Sequence, residues 1–206
     1  MISEENMGIG KIIGSNSHVD YVCEIYDQTM RDNPPDPTDY EFGQFVYVKK
    51  EIEESTRSFI GVIYDTQIVD PDQGRSGPRL AQPEEQDLFY PTYVDEKRIL
   101  AGIALLGHAK VKDGELSDVE HSIPRWTLEI DDVVRELPDE DMIMFHDIDG
   151  EVRLEYYQRM VDIAGPFAEE ILKKIINQLK EERPEEADAL DVIRKNLEWQ
   201  TRMREV

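Results

Sequence analysis

The stretch MGIGKIIGSNSHVD, residues 7–20, sets three glycines and a lysine ahead of Ser15. Such residues cradle phosphate when backbone amides wrap the anion and a lysine and a hydroxyl reach it. The spacing argues against that chemistry here. A P-loop, G-x-x-x-x-G-K-S/T, aligned on Gly10-Lys11 puts Glu5 at the first glycine and Ile12 at the hydroxyl position. A dinucleotide fingerprint, G-x-G-x-x-G, begun at Gly8 meets Ile13 where its third glycine belongs, and no strand precedes it. The stretch is expected to be a first strand, 9–14, ending in a Gly-Ser-Asn turn, with no nucleotide and no cofactor bound.

The four histidines are His18, His108, His121 and His146. None stands in a metal-ligand spacing such as H-x-x-x-H, and Cys23 has no cysteine partner. His146 with Asp147 and Asp149 assembles hard-metal ligands, yet Asp-Ile-Asp-Gly is equally a turn sequence, the Asp side chains capping amides and Gly150 taking a positive φ. The further ligands of an EF-hand are missing. A second candidate is the loop QGRSGPR, which sets Arg75 and Arg79 in an acidic chain, where they could grip a phosphate or a partner's carboxylate. No G-x-S-x-G elbow appears. Acidic pairs such as Glu84-Glu85 and Asp131-Asp132 are too common among 46 acidic residues to single out acid–base catalysis. No catalytic, cofactor or metal residue is assigned, and the chain is read as non-enzymatic.

Charge narrows the partners. Lys and Arg total 23 against 46 Asp and Glu, a formal net charge of −23. Nucleic-acid affinity comes largely from neutralising phosphates, so direct nucleic-acid binding is not expected. The acids are spread along the chain, which fits either a high-salt cytoplasm, where repulsion is screened, or simply an acidic soluble protein. No apolar run approaches the roughly 18 residues of a membrane span. The opening MISEEN has neither a basic region nor an apolar one, so no secretion signal is read and a cytoplasmic location is expected. A single cysteine excludes an internal disulfide framework.

The elements that would position these residues fall into two textures. From Gly8 to about Lys112 the pattern is strand-like. Val19, Tyr21, Cys23 and Ile25 alternate with His18, Asp20, Val22 and Glu24, a period near two. Residues 28–41 form a Pro/Asp-rich loop, 45–48 and 59–64 read as strands, the latter running toward Val69, and 70–87 as an irregular stretch. Residues 99–111, ILAGIALLGHAKV, predict an extended strand. Beyond residue 122, Asp131 to Leu137 predicts a short helix with acids in its first turn. Ile163, Phe167, Ile171, Leu172, Ile175, Ile176 and Leu179 then make one helical stripe, with Pro166 suited to a first turn. Arg183-Pro184 breaks it, and Ala187, Leu190, Ile193 and Leu197 supply a second helix. The two are expected to form a hairpin.

Three segments carry a resemblance. Ile9-Gly10-Lys11-Ile12-Ile13-Gly14-Ser15, Gly43-Gln44-Phe45-Val46-Tyr47-Val48 and Phe59-Ile60-Gly61-Val62-Ile63 are similar to the opening strands of the HAS barrel. That small β-barrel stands at the N-terminus of HerA-type DNA translocases and ATP synthases. The resemblance covers residues 8 to 157, including the SIPRWTLEIDDVVRELPDED segment. It implies ring assembly and partner docking, and weakly an archaeal source. No Walker motif occurs in the 206 residues, so the ATPase residues of HerA-type proteins are not carried over.

The expected architecture is α+β: a small closed barrel with its following segment, residues 1–157, and a C-terminal helical hairpin, 158–206. The expected function is a protein-interaction and assembly module, accessory to a HerA-type DNA-processing ATPase or to a nuclease, with a second copy of the chain as another occupant. Its expected partner residues are Arg75, Arg79, Phe167, Ile171, Ile175 and Leu179. The alternative is a small-ligand- or metal-binding barrel that uses the 70–87 loop and the 146–149 turn.

Overall fold

The structure, a computed structural model, describes residues 8–69 and 98–204, with side chains described to residue 195. Seven strands come first: β1 (Gly10–Ser17), β2 (Asp20–Ile25), β3 (Phe45–Ile52), β4 (Ser55–Val69), β5 (Arg98–Lys112), β6 (Glu115–Glu120) and β7 (Val133–Glu136). They hydrogen-bond in the order β2-β1-β7-β3-β4-β5-β6, and β2 also pairs with β5. That last pairing closes β2, β1, β7, β3, β4 and β5 into a six-stranded antiparallel barrel, with β6 outside the closure on β5. Closure leaves no free sheet edge among the six where they pair.

Tight turns join β3 to β4 and β5 to β6. Glu53 and Glu54 between β3 and β4, and Asp113 and Gly114 between β5 and β6, all have positive φ, the conformation that lets a two-residue turn follow the twist of its hairpin. Gly10 serves a different need. A Cβ there would lie 2.4 Å from the Glu24 carbonyl oxygen and 2.6 Å from the Cys23 sulfur, so β1 can press against β2 only as glycine.

The last strand to join corrects a sequence expectation. Residues 131–137 do not form a helix. Val133–Glu136 is β7, paired with β1 through Gly10 and Lys11 and with β3 through Val46, Tyr47 and Val48. The two β-branched valines suit a strand, and the acids before them are turn residues. Asp131 has φ +71, and the Asp132 carboxylate accepts from Lys50 Nζ at 2.9 Å and from the Glu129 amide at 2.6 Å. The helix with the acidic first turn lies further on, as α1 (Asp139–His146).

A two-stranded hairpin follows, β8 (Asp147–Ile148) and β9 (Glu151–Val152), turning at Asp149 and Gly150, both at positive φ. Then come α2 (Tyr157–Ala164), α3 (Ala168–Glu182) and α4 (Ala187–Arg204). The single stripe read from the sequence is split between α2 and α3 by a 3₁₀ turn at Gly165–Phe167. α3 and α4 make the expected hairpin.

Apolar side chains divide into two layers. Ile12, Cys23, Val46, Val48, Phe59, Ile103 and Val134 fill the barrel. The alternate residues of β3, β4 and β5, among them Tyr47, Ile60, Val62 and Leu106, face outward under Phe145, Met160, Ile171, Ile175 and Leu179 of the helices. Those strands are thus buried on both faces, which is why 99–111 reads as a nearly continuous apolar run and not as an alternation. The helices and the barrel wall share one core.

Candidate interaction site

The residues with the most chemical capacity are fixed inside this helical layer. His146 is wholly buried. Its Nδ1–H donates to the Met142 carbonyl at 2.7 Å, so its Nε2 is the acceptor for the Tyr156 hydroxyl at 2.6 Å. His121 donates Nε2–H to the Phe145 carbonyl at 2.9 Å and accepts at Nδ1 from the Glu155 amide at 3.3 Å. Burial pushes His146 down to about 3 and also lowers His121, so both rings are neutral. Arg159 donates through one guanidinium nitrogen to the carbonyls of Leu106 and His121, the latter at 2.8 Å.

In this arrangement the side chains of His146 and Asp147, from the turn in the ligand-binding alternative, are engaged within the chain. Both ring nitrogens of His146 are engaged. The Asp147 carboxylate accepts from Arg183 at 2.7 Å and from the Gly150 amide at 2.9 Å, and the Arg183 bond holds it below the usual carboxylate range. Among the described residues no group of three His, Cys, Asp or Glu side chains could hold a metal ion. The other half of that alternative, the 70–87 loop with Arg75 and Arg79, lies outside the described residues. Lys11, the lysine of the glycine-rich stretch, points to Asp131 at 3.2 Å from within β1.

Of the helical residues expected to meet a partner, three do not reach the surface. Ile171, Ile175 and Leu179 are buried under the barrel wall of their own chain, because the outward residues of β3–β5 need an apolar cover. Phe167 is different: it is 44% exposed. Its ring meets that of Phe42, itself 40% exposed, edge to face with centroids 6.0 Å apart. Phe42 lies in the turn that leads into β3. Gly43, at φ +80, gives that turn its bend, and a Cβ there would come within 3.0 Å of the Lys174 side chain. Lys174 ties the turn to α3, its Nζ lying 2.6 Å from the Glu41 carboxylate and donating to the Phe42 carbonyl at 3.2 Å.

A groove of about 780 Å³ opens between this turn, the end of β7 and the polar side of α3. Glu41, Glu136, Asp139, Glu170 and Glu181 line it against Lys173 and Lys174. Both lysines are already on acids, Lys174 on Glu41 and Lys173 on Glu169 at 2.5 Å. Burial, and then the neighbouring charges of Asp39, Asp139 and Glu41, raise the Glu136 carboxyl above its ordinary value. The groove is a place where negative charge is crowded.

A family model described as a domain of unknown function (DUF8166) matches residues 2–206. The chain belongs to that family. No curated protein matches it. The DUF8166 match spans the barrel and the helices together, so Phe42 on one and Phe167 on the other both fall within it. Among the described residues no helix is long and apolar enough to cross a membrane.

Phe42 is the site residue that sequence reasoning missed. Its one signal was an aromatic closing a Pro/Asp-rich loop, and period-based reading assigns such a residue to no face. Glu136 was hidden for another reason: the segment holding it read as a helix.

Proposed function

We propose that this chain is a non-enzymatic protein-interaction and assembly module. In this reading it is a barrel of the HAS type, cytoplasmic, that serves as an accessory to a DNA-processing ATPase or a nuclease. The observation that carries the interaction reading is the Phe42–Phe167 pair. Two rings from distant parts of the chain meet at the surface, each left about two-fifths exposed, on a protein whose net charge is −23. An exposed apolar pair set in a charged surface is the usual composition of a docking point.

Two further observations support it. His121, His146 and Tyr156 spend their hydrogen bonds on internal groups. Lys11, Lys50, Lys110, Lys174 and Lys180 each lie within 3.2 Å of a carboxylate, so the field that reaches solvent is that of the surplus acids. The HAS assignment itself rests on the glycine-based strand motifs, and the closed antiparallel barrel agrees with it.

The test is chemical cross-linking of the tagged chain in its native cell, followed by identification of the attached proteins. An ATPase or nuclease recovered in constant ratio is the expected result. Recovery of the chain alone, carrying a small molecule or a metal, would overturn the reading in favour of a ligand-binding barrel.

A further inference from the structure

One end of the barrel carries a row of positive charge. Lys50, Arg57 and Lys110 are direct cross-strand partners on β3, β4 and β5. They share a face with Val48 and Phe59, which stand two residues away on β3 and β4 and fill the barrel, so the row lies at its mouth. Trp126 packs on the same interior layer, with the Arg57 guanidinium 4.2 Å from the centroid of its ring.

Like charges directly opposite one another on a sheet repel. Lys50 is offset by Glu129 and Asp132 at 3.0 and 2.9 Å, and Lys110 by Asp118 at 2.6 Å. Arg57, between them, is offset by no carboxylate among the described residues. Its guanidinium makes no hydrogen bond there either, and its Nε is buried without an acceptor. Arg125 brings a second guanidinium to the Trp126 ring, at 4.5 Å, and meets Glu53 only at 3.7 Å, with both side chains 71% exposed. The buried His108 ring lies 6.0 Å from that of Trp126. Its Nε2 is 3.9 Å from Glu120, and its buried Nδ1 has no hydrogen-bond partner.

We infer that this mouth binds a phosphate dianion, held by the Arg57 and Arg125 guanidiniums beside Trp126. The mouth of a β-barrel is a common place for a ligand site. Guanidinium forks match phosphate oxygens two at a time, and a phosphate has enough charge and acceptors for both arginines. Glu53 engages Arg125 loosely and in water, so its carboxylate is readily displaced. A small dianion also avoids the repulsion that a long polyanion would meet on a chain of net charge −23. The site is at the far end of β3 from Phe42, so it and the Phe42–Phe167 pair do not compete. The two readings stand or fall separately.

The experiment titrates the full chain with inorganic phosphate at pH 7.5 and constant ionic strength, by isothermal calorimetry. Single-site binding with a rise in melting temperature is expected. Arg125→Gln alters an exposed side chain and should weaken binding about tenfold or more, with the melting temperature in phosphate-free buffer unchanged. Arg57→Lys keeps the charge and loses the fork, and should weaken it likewise. Arg153→Gln, from a surface arginine paired with Glu151 and Glu155 near the helical layer, should leave it within twofold. Methyl phosphate binding more tightly than inorganic phosphate would identify the source as a monoester; equal or weaker binding would identify it as free phosphate. Absence of binding to the parent chain would overturn the proposal. So would equal binding of acetate at the same ionic strength, or equal weakening by Arg153→Gln and Arg125→Gln, which would mean a diffuse response to charge.

Discussion

Tyr156 donates its hydroxyl hydrogen to Nε2 of His146 across 2.6 Å, with both side chains buried. The two residues hold the β8–β9 hairpin between them, His146 ending α1 and Tyr156 preceding α2. The bond therefore joins the start of the helical layer to its continuation. Replacing Tyr156 with Phe keeps the ring and strands a buried acceptor. A loss of roughly 1–3 kcal/mol is expected, the cost of leaving such a group unsatisfied. Urea denaturation checks it, and a midpoint equal to that of the parent would show that the bond contributes nothing net.

The same histidines set an acid limit. In the folded chain His146 and His121 are held neutral by burial, His146 at about 3. In the unfolded chain each takes up a proton near its ordinary value of about 6.5. The unfolded state thus binds more protons below that value, so their contribution to stability is complete above pH 6.5 and is lost progressively as the pH falls toward 3. At pH 5 the loss for His146 should be about 2 kcal/mol relative to pH 7.5. His146→Gln should flatten this slope. A parent protein equally stable at pH 7.5 and pH 5 would show that the rings are not neutral in the folded state.

How much of this was legible in the sequence depends on how local the cause is. The barrel strands were, since Val46, Val48, Ile60 and Val62 all lie in strands and are all buried. The Asp149-Gly150 turn was also legible, since positive φ has a residue signature. Strand β7 was not. Acids before Val133 look like a helix start, and only the gap between β1 and β3 makes the segment extended. The helical stripe was read correctly as apolar but assigned to a partner, because a one-dimensional pattern does not reveal that β3–β5 expose a second apolar face. The groove was least legible, since Glu41, Glu136 and Glu170 come together only through tertiary packing.

The glycines of the opening stretch can be told apart by substitution. Gly10→Ala places a methyl 2.4 Å from the Glu24 carbonyl oxygen, a position no relaxation of a side chain relieves. It should cost at least the 1–3 kcal/mol typical of overpacking. Gly14→Ala places a methyl where nothing lies within 4 Å, and should be nearly neutral. A phosphate loop predicts a different result: both changes would leave stability alone and abolish a nucleotide-induced rise in melting temperature. Thermal scans of both variants with and without ATP distinguish the two cases.

Truncation from the C-terminus should reveal a graded dependence of the barrel on its helices. Removing residues 187–206 takes away α4, from which Leu190 is the fully buried apolar residue among those described, with Ile193 partly covered. It also removes Asp191, the partner of Lys180 at 2.8 Å, a half-buried pair still open to solvent and worth little by itself. That shortened chain should stay folded with a lowered melting temperature. Removing residues 160–206 is a different matter. It strips Met160, Ile171, Leu172, Ile175, Ile176 and Leu179 from Tyr47, Ile60, Val62 and Leu106, and with them Arg159's helix, whose guanidinium caps the Leu106 carbonyl. At roughly 25 cal/mol per Å² of apolar surface, uncovering one whole face of β3–β5 exceeds the few kcal/mol by which a domain of this size is stable. The chain cut at 160 should be unfolded or aggregated by circular dichroism and light scattering. A cooperative, monomeric barrel from that truncation would show instead that residues 8–157 form an independent domain, with the helices as a separable appendage.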